Sequence, residues 1–219
     1  VTRGPARSGA ENAPIFNLRT IGPEPAGATP IEEEDLEGLI PDFVATRADL
    51  NQVEFENISK AVPWAQRQAT SLGPKGVLGY RFMMALHKRM FGDVWTWAGT
   101  QRRRETNIGV APSLIAMQCQ LLFDDAAFWH EKQVFGQNEI AARVHCGLVS
   151  IHPFPNGNGR CTRMMADLYL VSISAQPFSW GGAGIDVDGS VRARYMTALL
   201  KAVTSDDYSE ITAFARGDI

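Results

Sequence analysis

The stretch HPFPNGNGR, residues 152–160, decides how the rest of the chain is read. Two segments with helical apolar spacing flank it: Ile140, Val144, Leu148 and Ile151 run into it, and Met164, Leu168 and Val171 leave it. Pro153 cannot donate a backbone hydrogen bond and disfavours helical geometry in the residue before it. The incoming helix therefore stops, with His152 at its lip. Gly157 and Gly159 permit positive φ and close approach by a ligand, and the next helix begins with N–H groups that have no partner inside it. Such a start is shaped for an anion. Arg160 and Arg163 stand three apart, so on a helix they share a face and add two cations where the dipole is already positive. A polyphosphate offsets that repulsion, with backbone donors and the Asn158 amide on one phosphate and guanidinium forks on the others. The pattern GxxxxGK[ST] is absent, so this is not a Walker loop. His152, with an ordinary imidazole pKa of about 6.5, can take a proton from an incoming hydroxyl near neutrality. A base beside a phosphate cradle points to transfer of a phosphorus-centred group. Asn156 can offer its carbonyl oxygen to Mg²⁺, although an amide is a weaker ligand than a carboxylate for that hard cation.

The chain around this loop reads as mainly helical. Residues 1–28 are rich in Gly, Pro, Ala and polar residues without apolar periodicity, and are expected to form a flexible tail; residues 29–219 are expected to form one domain. Thr46 and Asp49 make a capping box for a helix carrying Leu50, Val53 and Ile58, which Pro63 is expected to end or kink. Val77, Phe82, Leu86 and Met90 mark a second helix, with Lys88 and Arg89 suiting its C-terminal dipole. Residues 100–112, TQRRRETNIGVAP, lack helical periodicity and suggest a short hairpin or extended loop. Leu114, Met117 and Leu121 mark one further helix, and Val191, Tyr195, Ala198 and Leu199 another. No internal repeat and no alternation of strands with helices is visible.

Composition narrows the function. A length of 219 residues suffices for one sizeable core, and a formal charge of −3 argues against direct binding to nucleic acid or an anionic membrane. No stretch is apolar enough for a bilayer span. Three cysteines without a CxxC pair suggest neither a disulfide framework nor a zinc knuckle, so a reducing cytoplasm is the expected location.

Residues His152, Pro153, Phe154, Gly157, Asn158, Gly159, Arg160 and Arg163 match HPFx[D/E]GNGRxxR, and the chain thereby resembles the Fic family. The likeness extends over about residues 28–216. It includes GLIP, LHKRMFGDVWTWAG, NIGV and RARYMTALL, and is strongest to the branch called mobile mystery protein B. The resemblance implies an all-α fold, a Fic-type helical bundle with a short β-hairpin flap. It also implies transfer of AMP from ATP to a Ser, Thr or Tyr hydroxyl of a target protein. On that basis His152 is the general base, Gly157, Asn158 and Gly159 form the anion hole, Arg160 and Arg163 hold the outer phosphates, and Phe154 anchors the loop. Residues Thr106, Asn107, Ile108, Gly109 and Val110 correspond by position to the flap that lays the target across the site.

Asn156 departs from the pattern, standing where most members carry an acidic ligand for Mg²⁺. Members with an inhibitory helix carry [S/T]xxxE[G/N], and the nearest match here is QVEFEN, residues 52–57, with Gln in place of the hydroxyl residue. Glu56, or Glu54, pairing with Arg163 is the expectation that follows. The branch resemblance further implies a helix-turn-helix or antitoxin-like protein as associate. The alternative to an AMP transferase is a catalytically weak Fic-like binding or regulatory module of a toxin–antitoxin-like pair. Intact His152, Arg160 and Arg163 favour the enzyme.

Other residues carry blander readings. His87 and His130 are expected to cap carbonyls near helix ends, and His145 to sit in the core or on its flank. Trp95, Trp97 and Trp129 read as packing residues, while Trp180 and Tyr195 are candidate neighbours of a nucleoside. Arg102, Arg103 and Arg104 read as a solvated loop, with a docking patch or phosphate contact as the functional alternatives.

Overall fold

The computed structural model describes residues 33–182 and 189–218. The expected tail over residues 1–28 lies outside the described residues. Eight helices are found among them: α1 (Glu33–Leu36), α2 (Arg47–Val77), α3 (Tyr80–Phe91), α4 (Ile115–Lys132), α5 (Gln137–Ile151), α6 (Asn158–Ser172), α7 (Gly189–Ser205) and α8 (Ser209–Arg216). A single 3₁₀ turn, Pro112–Leu114, leads into α4.

Helix α2 begins where its caps place it: the Thr46 hydroxyl accepts from the Asp49 N–H at 3.2 Å, and the Asp49 carboxylate accepts from the Thr46 N–H at 2.9 Å. Its buried stripe, Leu50, Glu54, Asn57, Ala61, Ala65 and Ala69, keeps helical spacing straight through Pro63. Pro63 thus does not end the helix. One lost backbone bond is outweighed by the continuous packing of that stripe against α3 and α6. The break comes instead at Gly73, with φ 64° and ψ −177°, immediately before Pro74.

Helix α6 lies at the centre, packed against α2 on one side and α5 on the other, with α3 against α2 and α4 against α5. Its Cys161, Met165, Ala166, Leu168, Tyr169 and Leu170 are buried in one core with Met83, Leu86 and Met90 of α3, Phe123 of α4 and Val144 and Leu148 of α5. A second, smaller cluster joins Ala142 and Cys146 of α5 to Tyr195, Ala198, Leu199 and Ala202 of α7 and Ile211 and Phe214 of α8. All three cysteines are buried free thiols. No described helix is long and apolar enough to cross a membrane.

Of the short hairpin and the extended loop that residues 100–112 suggest, the loop is what forms, with no strand among the described residues there. The segment pairs with the motif loop rather than with itself: the Arg102 N–H donates to Pro153 O at 2.9 Å and the Val110 N–H to Ile151 O at 3.2 Å. A chain whose donors are used by a neighbouring loop has none left for its own ladder.

Packing leaves three histidines held neutral. Burial lowers His87 and His145 to about 3 and His152 to about 4, with Arg160, Arg163 and Arg102 respectively adding to the effect. Burial pushes Asp167 up to about 7, against hydrogen bonds from Trp180 and Phe178. In the unfolded chain each histidine takes up a proton at about pH 6.5, so acidification favours unfolding until the native pKa is reached. Asp167 acts oppositely, since the native state holds its proton between pH 7 and 3.8 and the unfolded state does not. Three groups lose stability on acidification and one regains it. The expected net effect of acidification between pH 6.5 and 4 is therefore a loss of stability. Urea midpoints at pH 7.5 and pH 5 check this: a lower midpoint at pH 5 is expected, and an equal or higher one contradicts the assignment.

Candidate active site

Helix α5 ends at His152, whose φ of 56° and ψ of 63° place it in the left-handed region, its N–H still bonded to Leu148 O at 2.9 Å. Helix α6 begins after Gly157, also left-handed at φ 78°, where a Cβ would lie 2.6 Å from the Phe91 ring. The six residues between these points reverse the chain against the core. Phe154 is fully buried and stacks on His87 with centroids 3.7 Å apart, so it anchors the loop and does not line the cavity. His87 accepts from the Gly99 N–H on Nδ1 at 3.0 Å, which leaves the Nε2 proton to donate to Asn156 O at 3.0 Å. His87 thus caps a loop carbonyl and not a helix end.

The Asn158 side chain has a structural task. Its oxygen accepts from the Phe154 N–H at 2.9 Å and its amide donates to Phe154 O at 2.7 Å, so the side chain is engaged within the loop. What remains for an anion is backbone. The N–H groups of Asn158, Gly159 and Arg160 precede the first bond of α6, donated by Cys161 to Gly157 O. The three residues line a cavity of about 890 Å³ together with His152, Asn156 and Arg163. His152 is 4% exposed yet faces that cavity. Ile108 and Gly109 of the loop close one side, while Thr106, Asn107 and Val110 do not reach it.

The cavity also receives Arg47 and Glu54 from α2 and Arg192 and Tyr195 from α7. Glu54 is 1% exposed. A carboxylate so enclosed needs partners, and it has three: Arg160 Nη1 at 2.6 Å, the Trp95 indole N–H at 2.7 Å and the Asn156 amide at 3.5 Å. The expected pairing is therefore corrected twice. Glu56 lies on the exposed face of α2, where it accepts from Gln52, and the partner of Glu54 is Arg160 and not Arg163. Helical phase explains the first point, because Glu54 belongs to the buried stripe and a residue two positions on does not. Arg160 also lies over the Phe91 ring at 5.0 Å.

Arg163 is hydrogen-bonded to the Tyr195 hydroxyl, which in turn meets His145 Nε2 at 3.0 Å. Tyr195 is thus a cavity residue, while Trp180 is not: its indole binds the Asp167 carboxylate at 3.1 Å, away from the cavity. His130 meets the Tyr169 hydroxyl at 3.1 Å. The arginine run divides, with Arg102 buried, Arg104 paired to Asp35 at 2.6 Å and Arg103 exposed.

Mg²⁺ demands oxygen ligands in near-octahedral array, commonly one or two carboxylates with phosphate and water. Asn156 lines the cavity, but its side-chain oxygen accepts from the Gly157 N–H at 2.7 Å, and Glu54 is held by Arg160. Among the described residues no group of three or more His, Cys, Asp or Glu could hold a metal. The protein thus offers one amide oxygen, and the fit depends on phosphate oxygens and water supplying the rest.

The profile of the Fic/DOC family matches residues 78–170, which include α3, α4, α5 and the whole of the 152–163 motif. The "Probable protein adenylyltransferase y4lH" of Sinorhizobium fredii is 28% identical over 145 residues, covering 61% of this chain and 69% of that protein. Bartonella tribocorum BepC, solved with AMPPNP bound, superposes with a TM-score of 0.62 at 15% identity, covering 84% of this chain and 97% of that one. A Fic domain-containing signalling protein of Bacteroides thetaiotaomicron gives 0.58 at 18% identity, covering 76% of this chain. The present chain spans 63% of that protein's length. Residues 78–170 thus match the Fic/DOC family model, and the helical architecture of the chain is similar to that of solved Fic domains.

Proposed function

We propose that the protein is an adenylyltransferase that moves AMP from ATP to a Ser, Thr or Tyr hydroxyl of a target protein. The observation that carries this reading is the single cavity shared by His152, the start of α6, Arg160 and Arg163. The name of the Sinorhizobium relative and the AMPPNP in the Bartonella structure support it. The hydroxyl oxygen attacks the α-phosphorus, and its proton passes to the His152 imidazole. A new O–P bond forms as the bond from the α-phosphorus to pyrophosphate breaks. Pyrophosphate leaves against the N–H groups of Asn158, Gly159 and Arg160 with the two guanidinium groups beside it. Held well below its ordinary pKa, His152 is neutral and ready to accept a proton at pH 7. A bound Mg²⁺ would neutralise charge on the leaving pyrophosphate, with Asn156 as its protein ligand.

Glu54 holds Arg160 in the present arrangement, and the outer phosphates must compete with it for that cation. The protein therefore rests in a restrained state. An associated antitoxin-like or helix-turn-helix protein would act on the same restraint, and the loop 106–110 would guide the target segment. A weakly catalytic binding module remains the second reading, favoured by the engaged Asn156 oxygen.

Three outcomes test these statements. Purified protein incubated with a cell lysate and ATP labelled at the α-phosphate should transfer label to protein, and His152→Ala should abolish it. Label appearing from the γ-phosphate instead would identify a kinase. Glu54→Gln keeps an acceptor for Trp95 but removes the charge on Arg160, so self-labelling should rise about tenfold, the effect of about 1.4 kcal/mol. Glu56→Gly should leave it unchanged; a rise there, or none in Glu54→Gln, contradicts the assignment. Asn156→Asp should raise activity at low Mg²⁺, and unchanged metal dependence would remove Asn156 from the metal site.

A further inference from the structure

Arg102 lies outside the 152–163 loop and outside the cavity lining, yet it is 3% exposed in a segment that is otherwise surface. Burying a guanidinium is costly unless its donors are used, and here they are. Nε donates to His152 O at 2.7 Å, Nη1 to Arg104 O at 2.7 Å, and Nη2 to Val110 O and, at 3.4 Å, to Ile151 O. The Arg102 N–H adds a bond to Pro153 O. One side chain thus ties the two ends of loop 104–110 to the carbonyls on either side of the His152 N–H.

The loop is held tightly against that histidine. A Cβ at Gly109, where φ is 111°, would lie 2.5 Å from Arg102 Nη2, 2.8 Å from His152 Cβ and 3.1 Å from Ile151 O. Loop, guanidinium and the backbone of the proposed base therefore form one packed unit. A lysine could not replace the fork, because a single ammonium cannot reach carbonyls lying in several directions along a plane.

We propose that Arg102 is a positioning residue that couples loop 104–110 to His152, fixing the left-handed backbone that aims the imidazole and the loop that faces it. This rests on the reading of His152 as the general base. The Arg102 charge also disfavours protonation of the imidazole, second to burial. The other charged groups around the cavity are Arg47 and Glu54 of α2, Arg160 and Arg163 of α6 and Arg192 of α7, while Glu105 acts on Arg102 itself.

The test compares the full chain with Arg102→Lys and Arg102→Gln. The readouts are AMP-transfer kinetics, trypsin nicking after Arg103 or Arg104, and NMR titration of the His152 imidazole, assigned by its loss in His152→Ala. Misplacement of a base by about 1 Å costs about 100-fold. Both variants should lose about that factor in kcat, with KM for ATP within about twofold, and both should be nicked faster. The His152 titration should move up by about one pH unit in Arg102→Gln and stay near wild type in Arg102→Lys. A merely structural role would lower kcat and ATP affinity together, with the two variants titrating alike, and that overturns the proposal. So would wild-type kcat and wild-type nicking in Arg102→Gln. If Arg102→Gln does not fold, nicking and the split between kcat and KM in Arg102→Lys decide. If the wild type itself transfers no AMP, the functional reading fails, while nicking and titration still decide the coupling.

Discussion

The reversal between α5 and α6 depends on one constraint: carbonyls turned into the protein must find donors outside the regular backbone bonding of the helices. Ile151 O takes the Val110 N–H, His152 O the Arg102 guanidinium, Pro153 O the Arg102 N–H, Phe154 O the Asn158 amide and Asn156 O the His87 ring. Three separate parts of the chain, α3, the 101–110 segment and the first residue of α6, are thereby fixed to it. With its acceptors used inward, the reversal presents donors outward at the start of α6. An anion cradle is the by-product of satisfying a buried loop.

That cradle is not neutral at rest. Arg160 and Arg163 stand at the positive end of a helix, where cations repel, and each is restrained from another helix: Arg160 by Glu54 of α2, Arg163 by Tyr195 of α7. Breaking a buried pair by removing one partner is costly, since it strands the other charge. In the proposed reaction a polyphosphate would avoid that cost by replacing the carboxylate as it arrives. On that proposal the same contact would set a threshold for the ligand.

The sequence made the helices and the loop legible because their signals are local. The Thr46–Asp49 box, the stop at Pro153 and the glycine at 157 each act within a few residues, and all fall where expected. What could not be read are contacts between distant elements. The Gln52–Asn57 stretch was recognised as a source of a restraining carboxylate, but choosing Glu54 over Glu56 requires the phase of the buried stripe. Choosing Arg160 over Arg163 requires the placement of α2 beside α6. The engagement of the Asn158 side chain within the loop was not legible because its partner, Phe154, is only four residues away and binds through backbone atoms, which no residue type reveals. Arg102 looked solvated for the same reason, since everything it holds is a carbonyl. Pro63 shows the converse, a strong local signal overruled by packing along the whole of α2.

The most direct measurement is a crystal structure of the protein with a non-hydrolysable ATP analogue. The account predicts outer phosphates on the Asn158, Gly159 and Arg160 N–H groups, Arg160 parted from Glu54, and the α-phosphorus within reach of a hydroxyl placed at His152. A nucleotide bound elsewhere, or bound with the Glu54–Arg160 pair unchanged, would contradict it.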